Sequence, residues 1–110
     1  MISSSDLLSR LQNWYESNCN GNWEHEKGVR IDCIDNPGWS VTIDLQGTSL
    51  EGKTMESFHL DEGEKKWIHC EVKNEQFIGF GSPQNLENVL KTFFAFASAT
   101  SAAEGKTGQT

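Results

Sequence analysis

At 110 residues the chain has the length of one domain with a single core, to which four tryptophans and six phenylalanines bring much of the apolar volume. A formal charge of -7 and a mean hydropathy of -0.56 describe a soluble acidic protein, whose surface repels nucleic acid and membranes and attracts basic partners. No apolar run approaches the roughly 18 residues of a membrane span and no charged-then-apolar leader opens the chain, so a cytoplasmic location is expected.

Ser3, Ser4 and Ser5 offer N-cap hydroxyls, and Leu7, Leu8, Leu11, Trp14 and Tyr15 then recur along one helical face, predicting a helix over Asp6–Ser17. The asparagine- and glycine-rich stretch from Asn18 to Gly28 ends it, with Trp23-Glu24-His25-Glu26 expected as a short extended segment. Val29, Ile31 and Cys33 alternate with Arg30 and Asp32, which reads as a strand with Cys33 facing the core. Asn36-Pro37-Gly38-Trp39 fits a type II turn, because proline presets φ at the second position and glycine supplies positive φ at the third. Beyond the turn, Trp39, Val41, Ile43 and Leu45 oppose Ser40, Thr42 and Asp44, the pattern of a strand with one buried and one wet face.

After a loop over Leu50–Thr54, a third strand is predicted at Ser57–Asp61, with Phe58 and Leu60 on one face. The charged turn Asp61–Lys66 leads to a fourth strand, Trp67–Val72, in which Ile68, Cys70 and Val72 oppose Trp67, His69 and Glu71. Lys73-Asn74-Glu75 reverses the chain into a fifth strand, Gln76–Phe80. Ser82 and Pro83 suit the start of a helix on which Leu86, Val89, Leu90, Phe93, Phe94 and Ala97 share one face. The expected architecture is α+β, a five-stranded antiparallel meander sheet flanked by an N-terminal and a C-terminal helix. Residues 1–97 form its single domain, and residues 98–110, with little to bury, form a tail expected to fray or stay disordered.

Catalytic chemistry finds little footing. His25, His59 and His69 lie on separate segments without an HExxH or Cys/His zinc spacing, so no metal or cofactor is expected. Cys19, Cys33 and Cys70 are an odd number without CxxC spacing, which argues for reduced thiols over a disulfide framework. A thiol-dependent enzyme such as a sulfur transferase, with Cys70 or Cys19 as carrier, is the alternative reading. It lacks the nearby arginine that would activate the thiol, since the chain has only Arg10 and Arg30.

Partner binding is better supported. Trp23, Glu24, His25, Asp35 and Asn36 combine an aromatic anchor with polar groups around two loops, whereas Trp39 leads an apolar strand face and reads as core. Trp67 shares its strand face with His69 and Glu71, so that face forms an amphipathic binding patch if no helix covers it.

Five separated blocks in fixed order carry a family likeness: Leu11-Gln12-Asn13-Trp14-Tyr15, Cys19-Asn20-Gly21-Asn22-Trp23-Glu24-His25, Asp35-Asn36-Pro37-Gly38-Trp39-Ser40-Val41, Trp67-Ile68-His69-Cys70 and Gly81-Ser82-Pro83-Gln84-Asn85-Leu86. From about Leu7 to Phe94 the chain resembles the bacterial immunity protein 53 family. That resemblance implies a cytoplasmic antitoxin of a polymorphic toxin system, binding a cognate toxin domain and blocking it without cofactor or turnover. A nuclease with a basic substrate cleft is the toxin class that the acidic balance suits. The likeness assigns no contact residues and no oligomeric state.

Overall fold

The computed structural model describes the backbone of residues 4–63 and 65–109, and side chains at 6–63 and 65–99. In chain order the elements are α1 (Ser4–Asn18), α2 (Trp23–Glu26), β1 (Val29–Ile34), β2 (Gly38–Asp44), β3 (Phe58–Asp61), β4 (Trp67–Lys73), β5 (Gln76–Gly81) and α3 (Leu86–Gln109). The strands form one antiparallel sheet of order β1-β2-β5-β4-β3 between an N-terminal and a C-terminal helix, an α+β arrangement.

Only β3, β4 and β5 follow one another as a meander. From β2 the chain crosses through residues 45–57 to the far edge and returns inward, which places β5 beside β2. What each strand can bury explains the order. β5 carries the fully buried Phe77 and suits the interior, while the short β3 is exposed throughout and tolerates an edge.

One face of the sheet holds the core. Val41, Ile43 and Leu45 share it with Ile68, Cys70 and Phe77, and α3 lays Val89, Leu90, Phe93, Phe94 and Phe96 onto them. Each such fully buried side chain stabilises the fold by about 1.5–3 kcal/mol. Leu7, Leu11 and Trp14 of α1 close over α3, whereas Leu8 and Tyr15 remain exposed, so the buried stripe of α1 is narrower than its sequence predicts. Gly79 and Gly81 let α3 come close to the sheet: a Cβ at Gly79 would stand 2.5 Å from Val89 Cγ1.

Edge strands behave differently. α3 packs most extensively on the central strands β5 and β4, and less on the edge strands β1 and β3. Cys33, expected in the core, is therefore exposed, as are Ile31, Phe58 and Leu60.

Three local expectations are corrected. Gly38 lacks the positive φ that a type II turn requires at this position, so the turn is not type II. Gly38 instead opens β2, where a Cβ would sit 2.5 Å from the Gly81 carbonyl oxygen. The 23–26 segment is one turn of helix, α2, rather than extended. Its winding is driven by side-chain acceptors: Asn20 Oδ1 takes the N–H groups of Asn22 and Trp23 at 2.9 and 3.0 Å.

Ser82 does not cap α3. Its hydroxyl accepts the Trp67 N–H at 3.3 Å and Asn85 Nδ2 at 2.8 Å, and the helix starts later, with Asn85 C=O accepting the Val89 N–H at 3.0 Å. The α3 backbone continues past Ala97 to Gln109; the side chains of the 98–110 tail from residue 100 onward, like those of Ser3, Ser4 and Ser5, lie outside the described residues.

Candidate functional site

With α1 and α3 on one side, no described helix covers the other side of the sheet. Alternation along each strand brings Trp67, His69 and Glu71 of β4 to this open face, together with Ile78 and Phe80 of β5. Register places His69 opposite Phe80 and Glu71 opposite Ile78, while Ser40 and Thr42 of β2 flank the same two β5 residues from the other side. All of these residues are half-buried, shielded by neighbours yet reachable. The face thus has an apolar floor with polar groups set among it.

Trp67 anchors one end. Its ring extends past Ser82 to β2, where Gly38 leaves room; a Cβ on Gly38 would stand 3.1 Å from Trp67 Cζ2. His69 packs edge-on against His59 of β3 with ring centroids 5.6 Å apart, and His69 Nε2 stands 3.8 Å from Glu71 Oε1. These contacts hold the three β4 side chains in fixed relative positions, as an interaction surface requires.

The opposite end is built around Asp44, a carboxylate only 5% exposed. Its Oδ2 accepts the Gly28 N–H at 2.9 Å and its Oδ1 accepts Gln76 Nε2 at 2.8 Å, with Arg30 at 3.5 Å. The carboxylate is paired and hydrogen-bonded, so it staples β1, β2 and β5 rather than standing available for chemistry.

The other sequence candidates divide between two places. Asp35 and Asn36 are exposed at the tip of the β1–β2 hairpin, next to Gly38 and hence at the Trp67 end of the sheet. Trp23, Glu24 and His25 lie beyond the far end of β2, on the helix side. Trp23 is only 5% exposed; its indole N–H donates to the Gln46 carbonyl at 3.0 Å and its ring packs against Trp14 and Tyr15. Glu24 Oε1 and Oε2 accept the Asn20 and Gly21 N–H groups at 2.8 and 2.7 Å. Its own backbone N–H and these two hold its carboxyl below the usual carboxylate range. Both residues therefore tie the 19–26 segment together; His25 is exposed beside them.

Trp39 lies at the rim of the core, half-buried, with its indole N–H donating to the Pro83 carbonyl at 2.9 Å. Ile78 and Phe80 were not among the sequence candidates. The signal was present in β5, where Gly79 and Gly81 mark the side that a helix approaches and so assign Ile78 and Phe80 to the other.

Cys70 is fully buried, and burial pushes its thiol up to about 11, the reverse of what a nucleophile needs. Cys19 is half-buried and its Sγ lies 3.4 Å from the Tyr15 carbonyl oxygen. Among the described residues no group of three or more His, Cys, Asp or Glu is placed to hold a metal ion, and no helix is long and apolar enough to cross a membrane.

No curated protein and no solved structure matches the chain. A family model does, that of immunity protein 53, over residues 8–98. That span takes in most of α1, the whole sheet with its open face, and the part of α3 that covers the core, and the chain accordingly belongs to the immunity protein 53 family.

Proposed function

We propose that the chain is an antitoxin that neutralises a cognate polymorphic toxin domain by stoichiometric binding through the open face of its sheet. Family membership supports an immunity role, and a toxin is the partner that role implies. The observation that carries the assignment to this face is that Trp67, His69 and Glu71 lie half-buried and mutually packed on a sheet surface that no described helix covers. An aromatic anchor with charged neighbours on a rigid strand supplies what interface hot spots use.

Asp35 and Asn36 extend the face at the Trp67 end, and Asp32, Asp61 and Glu71 bring negative charge to it. With the formal charge of -7 this favours a basic partner, and a nuclease with a basic substrate cleft fits. The inhibitor acts in the cytoplasm, without cofactor or turnover.

The test is co-expression with the C-terminal domain encoded by the neighbouring gene. The expected result is rescued growth and a co-purifying complex of equal stoichiometry, both lost in a folded Trp67→Ala, Glu71→Ala variant. Rescue without a complex would remove stoichiometric inhibition, and full protection by that variant would remove this face.

A further inference from the structure

We infer that β1 is a self-complementary edge through which two copies of the chain pair antiparallel, joining their sheets across a two-fold axis. β1 is the last strand on its side of the sheet, so among the described residues no strand lies beside one of its edges. Which backbone groups that edge offers follows from the ladder. Asp44 N–H donates to the Gly28 carbonyl at 3.0 Å, and Gly28 and Asp44 stand in register with the Val29–Ile43 pair. Bonding alternates along an antiparallel pair, so Arg30, Asp32 and Ile34 bond to β2, and the N–H and C=O groups of Val29, Ile31 and Cys33 point outward.

A strand joined to its own copy by a two-fold normal to the sheet keeps each side chain on its original face, so residues of like parity meet. Three registers lie within reach of the middle of β1. Centring on Arg30 opposes two arginines, and centring on Asp32 opposes two aspartates, both repulsive. Centring on Ile31 sets Arg30 against Asp32 of the second copy, twice, on the open face. On the helix side it sets Ile31 against Ile31 and Val29 against Cys33. The outward backbone groups meet one another in this register, and Ile31, 38% exposed, is covered.

Charges on an edge strand usually keep other strands away. Here opposite charges two residues apart turn that protection into self-recognition, because each copy carries the complement of the other. Arg30 retains a side chain 52% exposed while it stands 3.5 Å from Asp44, so its guanidinium can still be reached from the edge. The paired sheet presents both open faces on one side. A single strand edge is a small contact, so association is weak and concentration-dependent.

Sedimentation velocity of the full chain across a concentration series tests this. The expected result is a reversible dimer, dissociated by Asp32→Arg, which sets arginine against arginine, and by Ile31→Pro, which removes an outward N–H while leaving the bonds to β2. Arg30→Asp and Asp32→Arg protomers, each monomeric alone, are expected to pair when mixed. Should Arg30→Asp unfold through its contact with Asp44, the other two variants still decide. A wild-type chain monomeric up to its solubility limit overturns the proposal. So does a dimer that folded Asp32→Arg leaves intact.

Discussion

The indole of Trp67 on β4 and the bare Cα of Gly38 on β2 are fitted to each other across the intervening strand, with Trp67 Cζ2 and Cη2 at 3.1 and 3.3 Å from where a Cβ would stand. Gly38→Ala must therefore displace the ring or the Gly81 carbonyl, at a cost of about 1–3 kcal/mol. The expected outcome is a lower melting temperature and a moved Trp67 signal in the 19F spectrum of fluorotryptophan-labelled protein. Binding to the toxin should weaken although position 38 offers the partner no side chain. An unmoved Trp67 signal in the folded variant would mean that the Gly81 carbonyl, 2.5 Å from the added Cβ, gives way instead of the ring.

Association with the toxin should slow as salt rises, because screening at about 0.15 M already acts over roughly 8 Å. Stopped-flow rates across a salt series measure this. A tight complex whose association rate ignores salt would remove charge steering while leaving the apolar floor of Ile78 and Phe80 as the source of affinity.

Asp44→Ala leaves the buried Gly28 N–H and the Gln76 amide without their acceptor and should cost about 2–3 kcal/mol of stability in urea unfolding. Asp44→Asn, which keeps an acceptor oxygen, should cost less. Equal losses would mean that the ion pair with Arg30 at 3.5 Å outweighs the hydrogen bonds.

Thiol labelling should separate the cysteines. At neutral pH the exposed Cys33 is expected to react promptly and Cys70 only after global unfolding. The raised Cys70 value also carries a sign for stability. Folding favours the protonated thiol, so its contribution is complete below the unfolded value of 9.0 and is lost as pH rises toward about 11. Melting curves above pH 9 should show an alkaline decline that is smaller in Cys70→Ala.

Glu24 has the opposite sign. Its folded carboxyl lies below the ordinary value of 4.5, so the stability it lends is present above that pH and fades as pH falls through the depressed value. Glu24→Gln should speed amide exchange at Asn20 and Gly21 at neutral pH, and the difference from wild type should shrink in acid. Matching exchange rates at neutral pH would sever Glu24 from those two amides.

Where burial follows a simple period, the sequence was enough. Val41, Ile43 and Leu45 on β2, and Val89, Leu90, Phe93 and Phe94 on α3, face the core as their spacing predicts. Trp67, His69 and Glu71 share one uncovered face for the same reason. What spacing does not encode is which strand becomes an edge. Cys33 alternates like a core residue yet is exposed, because β1 is an edge strand and α3 packs mainly on the middle of the sheet. The order β1-β2-β5-β4-β3 depends on pairings distant in sequence. Trp23 looked like a loop anchor because its partners, Trp14 and the Gln46 carbonyl, are likewise remote.

The sheet keeps its densest packing on one side: Val41, Ile43, Ile68, Cys70 and Phe77 are sealed under α3, while Trp67, His69, Ile78 and Phe80 on the reverse are only half enclosed. Mutations thus fall into two nearly separate economies. A change beneath the helix is judged by whether the chain still folds and, if the open face binds as proposed, a change on the reverse by whom the chain still recognises. On the proposed assignment, an immunity chain built this way can follow an altering toxin by trading side chains on one surface without renegotiating its own folding.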